Sequence, residues 1–241
     1  MRQVLSGGEK MIYAAGIGPG DPGLLPYKTV SLLQNADVIA GFETVLEIAR
    51  PHFNPKAQVF SMSYKDQPEK LEAVGDLSRS GKKCVVCFMG DPNFSGYELL
   101  ERIRRHCGEQ DPEVIPGISS VQMAATRSKT AFETSVFLTF HKSGNIEPDK
   151  KFLVQALKMG KSAIVIPKPW DFMEPEICRF LTDNGIAPET PVFIYEHLTF
   201  PNENSHTGTL ADCKGEFSDM SIMVIKPQLR HQKTYDRGRS K

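Results

Sequence analysis

From Met11 onward, short apolar runs bounded by Gly or Pro alternate with segments of helical length whose apolar residues recur at three and four. When strand and helix periods take turns along a chain, each strand returns parallel to the last across a covering helix. The pattern therefore predicts an α/β protein with a mainly parallel sheet. Strands are expected near Met11–Gly16, Asp37–Ala40, Gln58–Phe60, Cys84–Met89 and Glu113–Ile115. Helices are expected near Leu24–Asn35, Glu43–Ala49, Pro68–Ser80, Tyr97–Cys107 and Ser119–Thr126. The pattern pauses at Arg127–Thr134, and a second series follows. Its strands lie near Val136–Phe140, Ala163–Ile166, Val192–Tyr195 and Ser221–Ile225, its helices near Lys150–Met159 and Met173–Asn184. Between Leu198 and Asp219 no helical period persists, and Pro201, Gly208 and Gly215 suit an antiparallel hairpin, hence a mixed second sheet. An N-terminal α/β domain over 11–126 and a C-terminal α/β domain over 127–227 are expected. Residues 228–241 are basic with almost no apolar side chains and predict a disordered tail.

Charge and composition narrow the partners. The 29 basic and 29 acidic side chains cancel, so no global field draws the chain toward nucleic acid or acidic lipid. The longest apolar runs, Cys84–Met89 and Ser162–Pro167, fall far short of the roughly 20 residues of a membrane span. Residues 1–10 carry no apolar signal core, which predicts a cytoplasmic protein. Five cysteines, an odd number spread widely, fit free thiols in a reducing compartment. Cys84 and Cys87 would lie in a strand, where positions three apart point to opposite faces about 10 Å from each other. They are read as core residues. His106 and Cys107 have no companion pair at zinc spacing.

Three loops concentrate the chemistry. The first strand runs into Gly16-Ile17-Gly18-Pro19-Gly20-Asp21-Pro22. Its glycines permit positive φ and close approach of backbone to a ligand. It is no dinucleotide fingerprint, because Pro19 removes a donor and Asp21 takes the place that spacing needs for glycine. The alternative is a tight turn with Asp21 at a helix start. The fourth strand ends in Gly90-Asp91-Pro92-Asn93-Phe94-Ser95-Gly96. A carboxylate there would accept from a ribose or an amino group and repel a pyrophosphate, unless Asp91 merely caps the helix beginning near Ser95. The fifth strand leads to Pro116-Gly117-Ile118-Ser119-Ser120-Val121-Gln122, where Ser119 is on local grounds an N-cap. Ligands of open parallel sheets gather at the carboxyl ends of strands, and three such loops on one edge predict a ligand crevice.

In order and spacing, Gly16–Pro22, Gly90–Gly96 and Val114–Gln122 resemble the signature segments of the tetrapyrrole (corrin/porphyrin) methylase family. The resemblance extends over about Met11–Lys226. Within the family, Phe137–Gly144, Tyr195–Glu203, Gly208–Leu210 and Phe217–Ser221 are similar to the members that methylate the C5 meso carbon of a cobalt-precorrin in cobalamin synthesis. Ser128-Lys129-Thr130-Ala131-Phe132 departs from that branch, where a Gly and a Trp-type residue are common.

The resemblance implies a two-domain fold with S-adenosylmethionine as methyl donor in the interdomain cleft. It assigns donor binding to Gly90, Asp91 and Phe94, to Ser119 and Ser120, to Pro19, and to Ile166 or Pro167. Methyl transfer from a sulfonium is an in-line displacement, so the protein aligns the reactants and excludes water, and a base removes one proton. His141 and Glu196, both at expected strand ends, are the candidates for that base. Each has a plainer reading, His141 as a structural hydrogen-bonding residue and Glu196 as the partner of a surface Lys. Arg127, Lys129, Lys142 and Lys168 are candidate cations for a polycarboxylate acceptor. No protein-held metal is expected, and any cobalt would belong to the substrate. A family-like homodimer and a separate C15-methylating decarboxylase are implied as partners. The alternatives are another family member, acting at a different corrin position, on uroporphyrinogen, RNA ribose or a diphthamide precursor, or a non-catalytic tetrapyrrole-binding subunit.

Overall fold

Ile12–Gly16 forms a strand with every residue buried, β1, and the first sheet is laid down on both sides of it. The computed structural model describes residues 11–108 and 111–227. The predicted basic segment 228–241 lies outside the described residues. Two units are distinguished by their internal packing. Among the described residues, the first comprises the chain from Met11 to Thr126 together with Glu196–Asn204, and the second comprises Arg127–Tyr195 and the chain from Ser205 to Pro227. Glu196–Asn204 thus packs with the first unit, although it lies within the 127–227 stretch that the linear reading sets apart.

In the first unit β1 is followed by α1 (Tyr27–Gln34), β2 (Val38–Phe42), α2 (Glu43–Ala49), β3 (Gln58–Met62), α3 (Gln67–Arg79), β4 (Cys84–Phe88), α4 (Tyr97–His106), β5 (Glu113–Ile115) and α5 (Ser120–Ser128). The sheet order is β3-β2-β4-β1-β5, with the pairs β1/β4, β1/β5, β2/β3 and β2/β4 all parallel. Period-two alternation sorts the side chains into two layers. Tyr13, Ala15, Ile39, Val85 and Cys87 meet Leu32, Leu33, Val45 and Leu46 of α1 and α2. Ile12, Ala14, Val38, Ala40, Cys84 and Val86 meet Leu71, Val74, Leu100 and Ile103 of α3 and α4. Each fully buried Leu, Ile or Val contributes roughly 1.5–3 kcal/mol of transfer free energy. Cys84 and Cys87 accordingly fall in opposite layers. Burial pushes both thiols up to about 12, so they remain protonated and unreactive at neutral pH.

One helix begins later than its pattern suggests. The expected helix near Leu24–Asn35 breaks into a short 3-10 turn, Pro22–Leu24, and α1. Pro26, extended at ψ 138°, separates the two. The buried hydroxyl of Thr29 then fastens α1 to β1 by donating to the carbonyl of Gly16 at 2.9 Å.

The second unit holds β6 (Ser135–Thr139), α6 (Glu147–Lys158), β7 (Ser162–Ile166), α7 (Glu174–Asp183), β8 (Pro191–Glu196), β9 (Asn204–Thr209) and β10 (Ser221–Ile225). Its sheet runs β6-β7-β10-β8-β9 and is mixed, with β6/β7 parallel and β7/β10 antiparallel. The core packs Phe140, Leu153, Leu157, Val165, Ile177, Leu181, Ile194 and Met223. Phe140 meets Phe172 edge to face at 5.0 Å, and the Lys150 ammonium stands 4.2 Å from the Phe172 ring centre. α6 starts three residues before its apolar pattern, because Pro148 is tolerated in a first turn.

Candidate functional site

A parallel sheet opens where neighbouring strands send their connections in opposite directions. In the first unit that place lies between β1 and β4. The chain leaves β1 across β4 toward β2 by way of α1 on one face, and leaves β4 across β1 toward β5 by way of α4 on the other. The three loops singled out in the sequence are the carboxyl ends of β4, β1 and β5, side by side.

Their backbones lock together. The amide of Ile17 donates to the carbonyl of Phe88 at 3.0 Å, and Gly18 and Gly90 exchange hydrogen bonds of 2.8 and 3.4 Å. Both glycines have positive φ, +88° and +65°. A methyl group on Gly16 would stand 2.5 Å from the Gly90 carbonyl oxygen, and one on Gly117 only 2.1 Å from the same atom. Gly16, Gly90 and Gly117 therefore form a junction of bare backbone, and this contact aligns the loops.

Asp91 tops the β4 loop, half-buried. Its Oδ1 accepts from the backbone amide of Asn93 at 2.7 Å and from the Asn93 side-chain amide at 2.8 Å, an Asx turn. Oδ2 has no hydrogen-bond partner among the described residues. Asp91 is not the cap of the following helix. α4 begins at Tyr97 after Gly96, with no side-chain cap. The Phe94 amide closes the turn on the Asp91 carbonyl at 3.1 Å, and Ser95 sits at φ +61°.

Ser119 heads α5 in a capping box. Its Oγ accepts from the Val121 amide at 3.2 Å, while Gln122 Oε1 accepts from the Ser119 amide at 2.6 Å. The plain N-cap reading therefore holds for this hydroxyl, which keeps its own proton and one lone pair to offer a ligand. Ser120, in the first turn, lies beside Gly90, whose outward side faces Ser119 Cα and the Ser120 amide.

Pro19 is buried between Gly18 and Gly20. Asp21 follows the plain reading of a turn residue, its Oδ1 accepting from the Gly23 amide at 2.7 Å. Glu196, at the end of β8, belongs with the first unit, and its Oε2 accepts from Asn204 Nδ2 at 2.9 Å.

The second unit carries the other two candidates. His141 is exposed just beyond β6, its amide donating to Thr139 Oγ1 at 3.2 Å, and Pro167 is buried directly after β7. These two strand ends adjoin, since the Phe140 amide donates to the Ile166 carbonyl at 2.8 Å. Of the candidate cations, Lys142 pairs with Asp149 and Lys168 with Asp171, both at 2.7 Å. A charged depression lined by Glu101, Arg104, Arg105 and Asp111 sits at the C-terminal end of α4, on the amino edge of the first sheet, away from the loops.

Sequence reasoning missed the role of Thr199 and Phe200. Thr199 Oγ1 accepts from the Asp21 amide at 3.0 Å, and the Phe200 ring covers Gly20. The available signal was the seven-residue stretch 197–203 between two strands, too long for a tight turn.

The same architecture occurs in known proteins. A crystal structure of the cobalamin-biosynthesis precorrin-6Y methylase from Archaeoglobus fulgidus superposes with a TM-score of 0.66 and 21% identity, covering 91% of this chain and all of that one. The "Cobalt-precorrin-4 C(11)-methyltransferase" of Methanocaldococcus jannaschii is 25% identical over 94% of this chain and 90% of its own. The "Probable cobalt-precorrin-7 C(5)-methyltransferase" of the same organism is 31% identical over 217 residues, 90% of this chain and 98% of its own. Residues 11–214, which hold all three loops, the whole first sheet, β6 to β9 of the second and the Glu196–Asn204 segment, match the profile of the Tetrapyrrole (Corrin/Porphyrin) Methylases. By its loops, its sheets and its relatives, this chain belongs to the tetrapyrrole methylase family.

Proposed function

We propose that the protein is an S-adenosylmethionine-dependent methyltransferase that acts on the C5 meso carbon of a cobalt-precorrin in cobalamin biosynthesis. The observation that carries this reading is the end-to-end similarity to the relative named for that reaction. The site fits the donor. The junction at Gly16, Gly90 and Gly117 keeps the floor free of side chains, and Asp91 Oδ2 offers negative charge to a cationic or hydroxyl-bearing ligand. S-adenosylmethionine supplies an electrophilic methyl group on a sulfonium. In this reading Gly90, Asp91, Phe94, Ser119, Ser120, Pro19 and Pro167 hold it and keep water out. The Glu196 carboxylate or the His141 imidazole takes the proton that the meso carbon loses. The protein works in the cytoplasm as a homodimer, with C15 methylation and decarboxylation left to a separate protein. Among the described residues no helix is long and apolar enough to cross a membrane.

Calorimetric titration with S-adenosylhomocysteine, followed by transfer of a 13C-methyl group to a cobalt-precorrin and NMR location of the label, tests the proposal. Micromolar binding and label at C5 are expected. Label at C11 would replace the ring position, and absence of binding at millimolar ligand would favour a tetrapyrrole carrier. The proton acceptor is separable by mutation. Glu196→Gln keeps an acceptor for Asn204 and removes the base, and a fall in kcat of about a hundredfold at nearly constant KM is expected if Glu196 is that base. His141→Ala makes the parallel test, and a variant with wild-type turnover removes its residue from the mechanism.

A further inference from the structure

Between β8 and β9 the chain departs from the second unit to pack with the first. Two non-glycine residues in this excursion hold left-handed backbone, His197 at φ +47° and Thr199 at φ +74°. Positive φ in a β-branched residue is an outlier that persists only where its surroundings over-determine it, and such residues cluster at functional sites. Here the surroundings are explicit. The Glu203 carboxylate accepts from the Thr199 amide at 2.7 Å, and the Phe200 amide donates to the His197 carbonyl at 2.9 Å. Asn204 closes the loop on Glu196. The strained residue directs its hydroxyl oxygen to the Asp21 amide, and the next residue, Phe200, lays its ring on Gly20 and packs against the first unit's core. A methyl group on Gly20 would fall 2.4 Å from that ring, so the contact leaves no slack.

We propose that Glu196–Asn204 is a strap that sets the conformation of the Pro19–Asp21 turn for ligand binding, with Thr199 and Phe200 as its positioning residues. The strap links two elements that would otherwise be unrelated in sequence. It carries Glu196 at one end and fastens the β1 loop in its middle, so one hydrogen-bonded loop orients a donor-binding turn and a candidate base together. The proposal rests on the donor-binding reading of the first loop.

The test compares Thr199→Val, which is isosteric and lacks the acceptor, with Thr199→Ser, which retains it. Three readouts are taken: melting temperature, dissociation constant for S-adenosylhomocysteine, and hydrogen exchange of peptides spanning residues 17–24. For Thr199→Val the expected result is an unchanged melting temperature, about tenfold weaker binding and faster exchange confined to those peptides, with Thr199→Ser close to wild type. Wild-type binding and exchange in Thr199→Val would overturn the strap. A lowered melting temperature that Ser does not rescue would reduce it to a structural contact and also overturn it. Wild-type protein that does not bind the probe would remove the donor reading, and the strap's role in ligand binding with it. That failure is recognised because it occurs before any substitution is made.

Discussion

Gly117→Ala is expected to destabilise the protein by about 3 kcal/mol or more and to abolish ligand binding, the largest effect of a single methyl group anywhere in the first unit. The added carbon would stand 2.1 Å from the Gly90 carbonyl oxygen and 2.9 Å from Gly16 Cα. These neighbours are backbone of two strands' ends, which cannot swing aside as a side chain would. Relief requires the β5 loop to move off the β1 and β4 loops, and that movement separates Ser119 and Ser120 from Gly90. Differential scanning calorimetry measures the first effect and titration with S-adenosylhomocysteine the second. Gly81→Ala is the control. Gly81 has a positive φ, +89°, which Gly117 does not, but an added methyl there meets nothing within 4 Å, so its cost is conformational and involves no clash. A Gly117→Ala protein as stable as Gly81→Ala would refute the three-glycine junction.

Asp91→Asn is expected to weaken S-adenosylmethionine binding ten- to a hundredfold, as loss of a charge-assisted contact of roughly 1.5–3 kcal/mol requires. Asparagine keeps an oxygen to accept from Asn93, so the turn is preserved and the change reports on charge alone. Asp91→Ala loses the turn as well and should bind more weakly still. Comparing two ligands locates the charge. Equal losses for S-adenosylmethionine and S-adenosylhomocysteine assign Asp91 to the amino or hydroxyl groups that both share, whereas a greater loss for the former assigns it to the sulfonium. Wild-type affinity in Asp91→Asn would remove this carboxylate from the site.

The inner strands β1, β4 and β10 were legible because burial on both faces writes them as apolar runs, and the edge strands because turn residues bound them. Glu113–Ile115 and Ser221–Ile225 match the sequence reading residue for residue, and the other seven strands foreseen differ at their ends by one or two positions. The helices were legible wherever apolar spacing extends to the cap. Where a proline intervenes the reading drifted, as at Pro26, which starts α1 late, and at Pro148, which starts α6 early. The three loops were found because glycine and proline mark strand ends. Their interlocking was not visible, since no side chain takes part in it and carbonyl-to-glycine contacts leave no period in a sequence. The role of Ser119 was half legible. The spacing Ser119-x-x-Gln122 is that of a capping box, and the structure gives the hydroxyl to the helix. Thr199 was out of reach for another reason. Nothing in Leu198-Thr199-Phe200 announces a left-handed threonine, because its conformation is imposed by Glu203 four residues on and by an amide 178 positions away.

The excursion of Glu196–Asn204 has a bearing on how such a protein can be divided. Because that segment packs with residues up to Thr126 while its flanks belong to the second unit, the chain changes allegiance at three peptide bonds. A gene cut at the first of them would yield an amino-terminal fragment lacking Phe200 and Thr199, with Gly20 uncovered, and a carboxyl-terminal fragment bearing a nine-residue orphan. Fragment exchange between relatives at that single junction would pair one protein's β1 turn with another protein's Phe200. Only exchanges with all three junctions, which carry 196–204 along with the first half, keep the matched parts of both units together.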